Sequence, residues 1–154
     1  MIFITVGTQA PFDRLIKVMD DWAKENDVDC FAQIYHASYH PQHIPFKEML
    51  SEKEYNDIFK KASVIVSHAG MGSIISALQN DKILLTLPRA VRFKEHRNDH
   101  QMDTTQAFSE KGYIYPIFNE EDLLAHLNRL EELRCLKNIS GDANDNLINF
   151  LKDL

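Results

Sequence analysis

The stretch Val64-Ile65-Val66-Ser67-His68-Ala69-Gly70-Met71-Gly72-Ser73-Ile74-Ile75-Ser76-Ala77-Leu78 decides the fold. Its β-branched opening, Val64 to Val66, reads as a strand buried on both faces of a parallel sheet. After the two glycines, Ile74, Ile75, Ala77 and Leu78 fall at the spacing of an inward-packing helix. Gly70 and Gly72 free the backbone and leave room for a ligand where a Cβ would stand. Ser73 is expected to open the helix, whose unpaired N–H groups and dipole favour a phosphate. Strand, glycine turn and helix together form a seat for a nucleotide diphosphate. Many such turns carry two glycines for steric reasons alone, and that reading stays open.

Outward from this unit the chain alternates strand and helix. Upstream, Ser51-Glu52-Lys53-Glu54 is a capping box, and Tyr55, Ile58, Phe59 and Ala62 give the following helix its buried face. Downstream, Asn80-Asp81-Lys82 turns into Ile83–Leu87, an interior strand stopped by Pro88. At the start of the chain, Ile2–Val6 reads as a strand, Gly7-Thr8-Gln9 as a turn, and Pro11 as a residue of a first helical turn. Phe12, Leu15, Ile16, Met19, Trp22 and Ala23 make the apolar face of that helix. Thr8 and Gln9 either face a ligand or cap the helix. Cys30–Tyr35 reads as a second strand, with a short strand at Ile44–Phe46.

The second half predicts a helix over Gln101–Lys111 ended by Gly112, then a strand at Tyr113–Tyr115. An Asn119-capped helix follows, with Leu123, Leu124, Leu127, Leu130 and Leu133 as its stripe. Residues 137–146 read as a linker to a C-terminal amphipathic helix marked by Leu147, Ile148, Leu151 and Leu154, which folds back on the domain or docks a partner. The alternation predicts an α/β fold, a Rossmann-like parallel sheet with helices on both faces, and one domain over 1–154. In such sheets ligands bind beyond the carboxyl ends of the strands, where 7–9, 68–73 and 88–101 all fall.

Composition narrows the function. A net charge of -6 argues against a general nucleic-acid binder. Two cysteines, Cys30 and Cys135, suggest neither a disulfide framework nor a zinc site. No apolar run has the length of a membrane span, and Met1–Val6 is too short for a signal peptide, so a cytoplasmic protein is expected. His36, His40 and His43 lie among prolines with no cysteine or carboxylate placed to complete a metal site. His96 and His100 lack the carboxylate arrangement of a zinc helix. No metal and no cofactor are expected.

Segment 89–101 sets four Arg or Lys against two carboxylates in an acidic chain. A basic loop after a strand suits a diphosphate, and Arg89 offers a fork of donors for it. Asn98, Asp99, His100 and Gln101 form a polar cluster of the kind that reads sugar hydroxyls. The alternative is a solvated loop with Asn98 or Asp99 as helix cap.

Val6-Gly7-Thr8-Gln9 with Pro11-Phe12-Asp13-Arg14-Leu15-Ile16, then Ser67-His68-Ala69-Gly70-Met71-Gly72-Ser73, then Pro88-Arg89 and Glu95-His96-Arg97-Asn98-Asp99-His100-Gln101, together resemble family 28 glycosyltransferases. The likeness is to the C-terminal, donor-binding half of that GT-B fold. It is nearest to the small subunits of two-component bacterial exopolysaccharide and capsule transferases, and is similar also to the catalytic subunit of the eukaryotic dolichol-linked N-acetylglucosamine transferase. The resemblance implies inverting transfer of a hexose, of the galactose, glucose or glucuronic acid class, from a UDP-sugar to a lipid-linked acceptor. The binding set it implies is Gly7, Thr8, Gln9, His68, Gly70, Met71, Gly72, Ser73, Arg89, Asn98, Asp99, His100 and Gln101.

Many relatives carry a ribose-binding Glu on the helix after the glycine turn; that position here is Ser76, which brings no charge. The chain is too short for both GT-B domains, which implies a membrane-associated subunit that binds the acceptor and holds this chain at the membrane periphery. A general base is needed for the acceptor hydroxyl. His96 is the internal candidate, and the partner is the other source. A catalytically silent nucleotide-binding regulatory or scaffold subunit is the alternative function.

Overall fold

The structure, a computed structural model, describes residues 1–137. The expected C-terminal helix and all of the expected linker after Lys137 lie outside the described residues.

Five strands, β1 (Ile2–Thr5), β2 (Cys30–Gln33), β3 (Phe46–Lys47), β4 (Val64–His68) and β5 (Ile83–Leu87), form one sheet in the order β3-β2-β1-β4-β5. Every neighbouring pair is parallel. Alternating side chains feed two cores. Ile2, Ile4, Val64, Val66, Leu85 and Leu87 pack with Leu15, Ile16, Met19 and Trp22 of α1 (Asp13–Glu25) and with Leu123 and Leu127 of α5 (Glu120–Leu127). Phe3, Ile65 and Leu84 face Phe59 of α2 (Glu52–Lys61), Ile74, Ala77 and Leu78 of α3 (Met71–Gln79), and Phe108 of α4 (His100–Glu110). Helices thus cover both faces, which is why the inner strands are largely apolar.

Local signals act as expected at several ends. Ser51 and Glu54 form the reciprocal capping box of α2, and the Asn119 side chain accepts the Asp122 N–H at the head of α5. Gly112, at φ +72°, follows α4 in a Schellman closure, with Gly112 N–H donating to Ser109 O and Tyr113 N–H to Phe108 O.

Other boundaries differ. Helix α1 begins after Phe12, so Pro11 precedes the helix rather than standing in its first turn. The N-cap of α3 is Gly70 and its first turn starts at Met71, two residues before Ser73. β3 is Phe46–Lys47, and Ile44 enters the core instead. Tyr113–Tyr115 forms no strand, because its backbone closes local turns through Tyr113 N–H to Phe108 O and Ile117 N–H to Tyr115 O. Helix α5 stops at Leu127; Leu130 and Leu133 still pack on the core, through a 3-10 turn over Leu130–Glu132.

The strand order reverses direction between β1 and β4: from β1 the chain builds outward to β2 and β3, then returns to β4 and β5. The loops after β1 and β4 therefore diverge at the topological switch point, where doubly wound sheets leave a crevice.

Candidate functional site

Beneath that crevice runs a buried polar row. Gln33, Thr5, Ser67 and Thr86 are register partners across β2, β1, β4 and β5, and all are buried. Thr5 Oγ1 donates to Gln33 Oε1 at 2.8 Å, Gln33 Nε2 donates to Gly7 O at 2.9 Å, and Gly7 N–H donates to Thr5 Oγ1 at 3.3 Å. These bonds hold the turn after β1 in a fixed shape. Gly7 sits at φ +73°, a left-handed conformation that side chains disfavour.

The His68 ring stands between the two glycine turns. A Cβ at Gly7 would meet its Cε1 at 2.9 Å, and one at Gly70 would meet its Nε2 at 2.3 Å. Both glycines are therefore required by the imidazole. Gly72 differs: a Cβ there meets nothing within 4 Å and points into open space. The steric reading thus holds for Gly70 and the ligand reading fits Gly72. His68 Nδ1 is buried without a hydrogen-bond partner. Burial, with the Arg89 charge second, pushes the ring pKa down to about 4, against partial opposition from the Thr5 backbone. The ring is neutral at ordinary pH.

Above the turns lies a cleft of about 630 Å³, lined by Gly7, Thr8, Gln9, Tyr55, His68, Ala69, Gly70, Met71, Gly72, Ser73, Ser76, His96, His100, Gln101 and Thr104. A second cavity of about 420 Å³ shares Thr8, Gln9, His68, His96 and Gln101 with it and adds Arg89, Glu95 and Arg97. The N–H groups of Met71, Gly72 and Ser73, the first turn of α3, have no carbonyl one turn back to bond and point towards the cleft end of the helix. That terminus is a ready anion seat.

The loop after β5 is fixed by charge. Arg14, from α1, donates Nε to Glu95 Oε1 at 2.7 Å and Nη2 to Glu95 Oε2 at 2.8 Å and to Pro88 O at 2.8 Å; its Nη1 meets Glu120 at 3.1 Å. Glu95 Oε2 also accepts the Ala90 N–H. Arg89 is buried and donates to the Val6 and Ala10 carbonyls at 3.0 and 2.7 Å, while its Nε lacks a partner. Its own N–H goes to Gln101 Oε1 at 3.1 Å.

The profile of the glycosyltransferase family 28 C-terminal domain matches residues 1–150. The chain belongs to that family. Among solved structures, this family 28 domain is similar to that of ALG13, at TM-score 0.63 and 20% identity, covering 97% of this chain and 94% of that one. It is similar also to the glycotransferase of kitacinnamycin, at TM-score 0.55 and 16% identity, covering 99% of this chain and 38% of that one. Both likenesses concern the fold. No curated protein sequence matches the chain.

Of the expected residues, the family 28 domain brings Gly7, Thr8, Gln9, His68, Gly70, Met71, Gly72, Ser73, His96, His100 and Gln101 to one cleft. Arg89 reaches the adjoining cavity, but two of its donor contacts hold the β1–α1 turn. Asn98 and Asp99 do not line the cleft. Asp99 stands at the N-cap of α4 without capping it; its Oδ1 accepts the Val91 N–H at 2.9 Å. Asn98 Oδ1 accepts the His100 N–H at 3.2 Å and lies 3.1 Å from His96 Nδ1. The Asn98 backbone N–H also meets His96 Nδ1, at 3.5 Å, so both contacts hold the ring by that nitrogen.

His36, His40 and His43 go to separate uses. His36 lies 3.5 Å from Glu48, His40 packs on Phe46, and His43 gives its backbone N–H to Asp20. Tyr55 and Thr104 line the cleft and escape the sequence reading. Tyr55 is indistinguishable in sequence from an apolar-face residue of α2, and Thr104 sits at an unremarked position of α4. Ser76 lines the cleft.

Proposed function

We propose that the chain is the donor-binding catalytic subunit of an inverting, UDP-sugar-dependent hexosyltransferase that acts on a lipid-linked acceptor in exopolysaccharide or capsule synthesis. The observation that carries this reading is the open space beyond Gly72 at the free N–H groups of α3, inside a cleft closed by three strand-end loops. A diphosphate there gains fixed dipoles as charge develops on the departing UDP. His96, His100 and Gln101, across the cleft, are suited to the sugar.

The acceptor hydroxyl must lose a proton as its oxygen bonds to the anomeric carbon and the sugar–phosphate bond breaks. Among carboxylates of the basic loop, Glu95 is held on both oxygens by Arg14 and Asp99 does not line the cleft, so neither is placed to take it. His96, on the cleft wall, is the internal base candidate. A membrane-associated acceptor subunit is the other source. No helix among the described residues is long and apolar enough to cross a membrane, in keeping with attachment through that partner. Residues 1–154 then act as one nucleotide-sugar-binding domain.

The test is a calorimetric screen of UDP-sugars on the chain, followed by transfer assays with the co-expressed membrane subunit. Binding without metal and transfer only with the partner are expected. Failure to bind any UDP-sugar overturns the reading. His100→Ala should weaken UDP-hexose more than UDP, since the hexose is absent from UDP.

A further inference from the structure

The loop that borders the cleft carries an exposed tip, Val91 to Lys94, that does not line it. Val91 and Phe93 are 41% and 45% exposed, and Arg92 and Lys94 beside them are exposed too. Large apolar side chains on a surface are ordinary singly, but two flanking a basic residue on one tight turn are not scattered. The turn is also stiff. Val91–Phe93 is a 3-10 turn, Lys94 is held at φ 58° with its N–H on Val91 O, and Glu95 N–H returns to Ala90 O. A non-glycine residue in the left-handed region carries strain that persists only where neighbours impose it. Here the Arg14–Glu95 fork and the Pro88 carbonyl impose it. Arg14 and Arg92 lie 4.5 and 4.7 Å from the Phe93 ring centroid, and the ring stays exposed between them and solvent.

We propose that this tip, Val91 to Lys94, docks the domain on an anionic lipid surface. Its chemistry is that of an interfacial anchor: apolar side chains for the acyl boundary, and cations beside them for the headgroups. The local acids do not cancel it: Glu95 is paired with Arg14, and the single charge of Asp99, which accepts the Val91 N–H, is outnumbered by Arg92, Lys94 and Arg97. With a net charge of -6 the rest of the chain is repelled by such a surface, so the tip would set one orientation. The residues that follow it, Glu95, His96 and Arg97, line the cavity beside the main cleft. Docking would bring that mouth to the lipid, where a lipid-linked acceptor arrives; this last step rests on the function proposed above, and the docking itself does not.

Sedimentation of the full chain with vesicles tests it. The chain should pellet with phosphatidylglycerol–phosphatidylcholine vesicles, far less with phosphatidylcholine alone, and less as salt rises. Arg92→Ser and Lys94→Asn should each lower partitioning about fivefold, and asparagine tolerates the left-handed turn. Val91→Ser with Phe93→Ser should abolish it. UDP affinity should stay unchanged in all of these, which shows that the cleft is folded. Equal pelleting with neutral vesicles, or tip variants that pellet like the parent, overturns the proposal. So does a parent that ignores vesicles while its tip variants lose the co-expressed acceptor subunit, which makes the tip a protein contact. A chain that binds vesicles but no UDP-sugar upholds the docking and removes the donor reading.

Discussion

The glycine cradle and the basic loop border one cleft and are held by opposite means. The cradle is shaped by missing side chains: Gly7 and Gly70 leave a slot that the neutral His68 ring fills, with no ion pair in it. The loop is shaped by added charge: the Arg14 guanidinium binds both oxygens of Glu95, the Pro88 carbonyl and Glu120. A border set by shape fails when atoms are added or when its ring is charged. A border set by charge fails when one partner is deleted.

The largest expected effect is on the charged side. The Arg14 and Glu95 side chains are only 13% and 11% exposed, so Arg14→Ala strands a nearly buried carboxylate. A loss of about 3 kcal/mol in urea unfolding is expected. Arg14→Lys should recover little of it, since an ammonium cannot reproduce the two-oxygen fork. UDP affinity should change little in the folded fraction, because the cradle holds itself. A parallel collapse of UDP affinity would show that the two borders are one structure.

Next comes Gly70→Ala. Its backbone is ordinary, at φ -86°, so the cost is spatial: the new Cβ overlaps His68 Nε2, and the ring is boxed on its other side by the Gly7 turn. About 2 kcal/mol of destabilisation is expected. His68→Ala in the same chain should return most of it, which a double-mutant cycle reads directly. Equal losses with and without the ring would refute the slot.

These two variants also mark what the sequence could and could not disclose. The interior strands were legible because a parallel sheet covered on both faces favours near-continuous apolar runs, as in Ile83 to Leu87 with Thr86 its one polar residue. Ser51 with Glu54, and Gly112, were legible because their partners lie within a turn of them. Tyr113–Tyr115 has the composition of a strand, and only the backbone bonds that close α4 and the turn at Ile117 deny it a ladder. The Arg14–Glu95 fork spans 81 positions and left no local trace. Arg89 and Gln101 read as ligand donors because a basic loop suits a diphosphate and a polar cluster suits sugar hydroxyls; their bonds into the β1–α1 turn and to one another exist only in the fold. Gly70 and Gly72 look alike in sequence and differ in what faces them.

That last difference gives the third prediction. Gly72→Val adds a side chain where nothing lies within 4 Å, so stability should hold within about 0.5 kcal/mol. UDP affinity should fall at least about tenfold, roughly 1.4 kcal/mol, because the valine stands at the head of α3 in the space proposed for the diphosphate. Unchanged UDP affinity in calorimetry would move the diphosphate elsewhere in the cleft.

The smallest effect separates shape from charge by pH alone. His68 is held neutral in the fold, with its pKa pushed down from 6.5 to about 4 by burial and by Arg89. In the unfolded chain it takes a proton as pH falls below 6.5, and in the folded chain it does not until about 4. The unfolded state therefore binds more protons across that window. The stability that the neutral ring contributes is complete above pH 6.5 and is lost progressively as pH falls towards 4. At pH 5.5 the loss should be about 1 kcal/mol relative to pH 7, a drop of roughly 2–4 °C in melting temperature for a chain of this size. Asp20 also has a lowered pKa, from its bonds to Tyr39, Gln42 and His43, but its unfolded value of 3.8 places its effect below this window. His68→Gln should flatten the melting profile between pH 6.5 and 4 while leaving the more acidic limb in place. A parent and variant with the same slope there would mean that the ring is not sealed in its slot, and the contrast between the two borders of the cleft would fail with it.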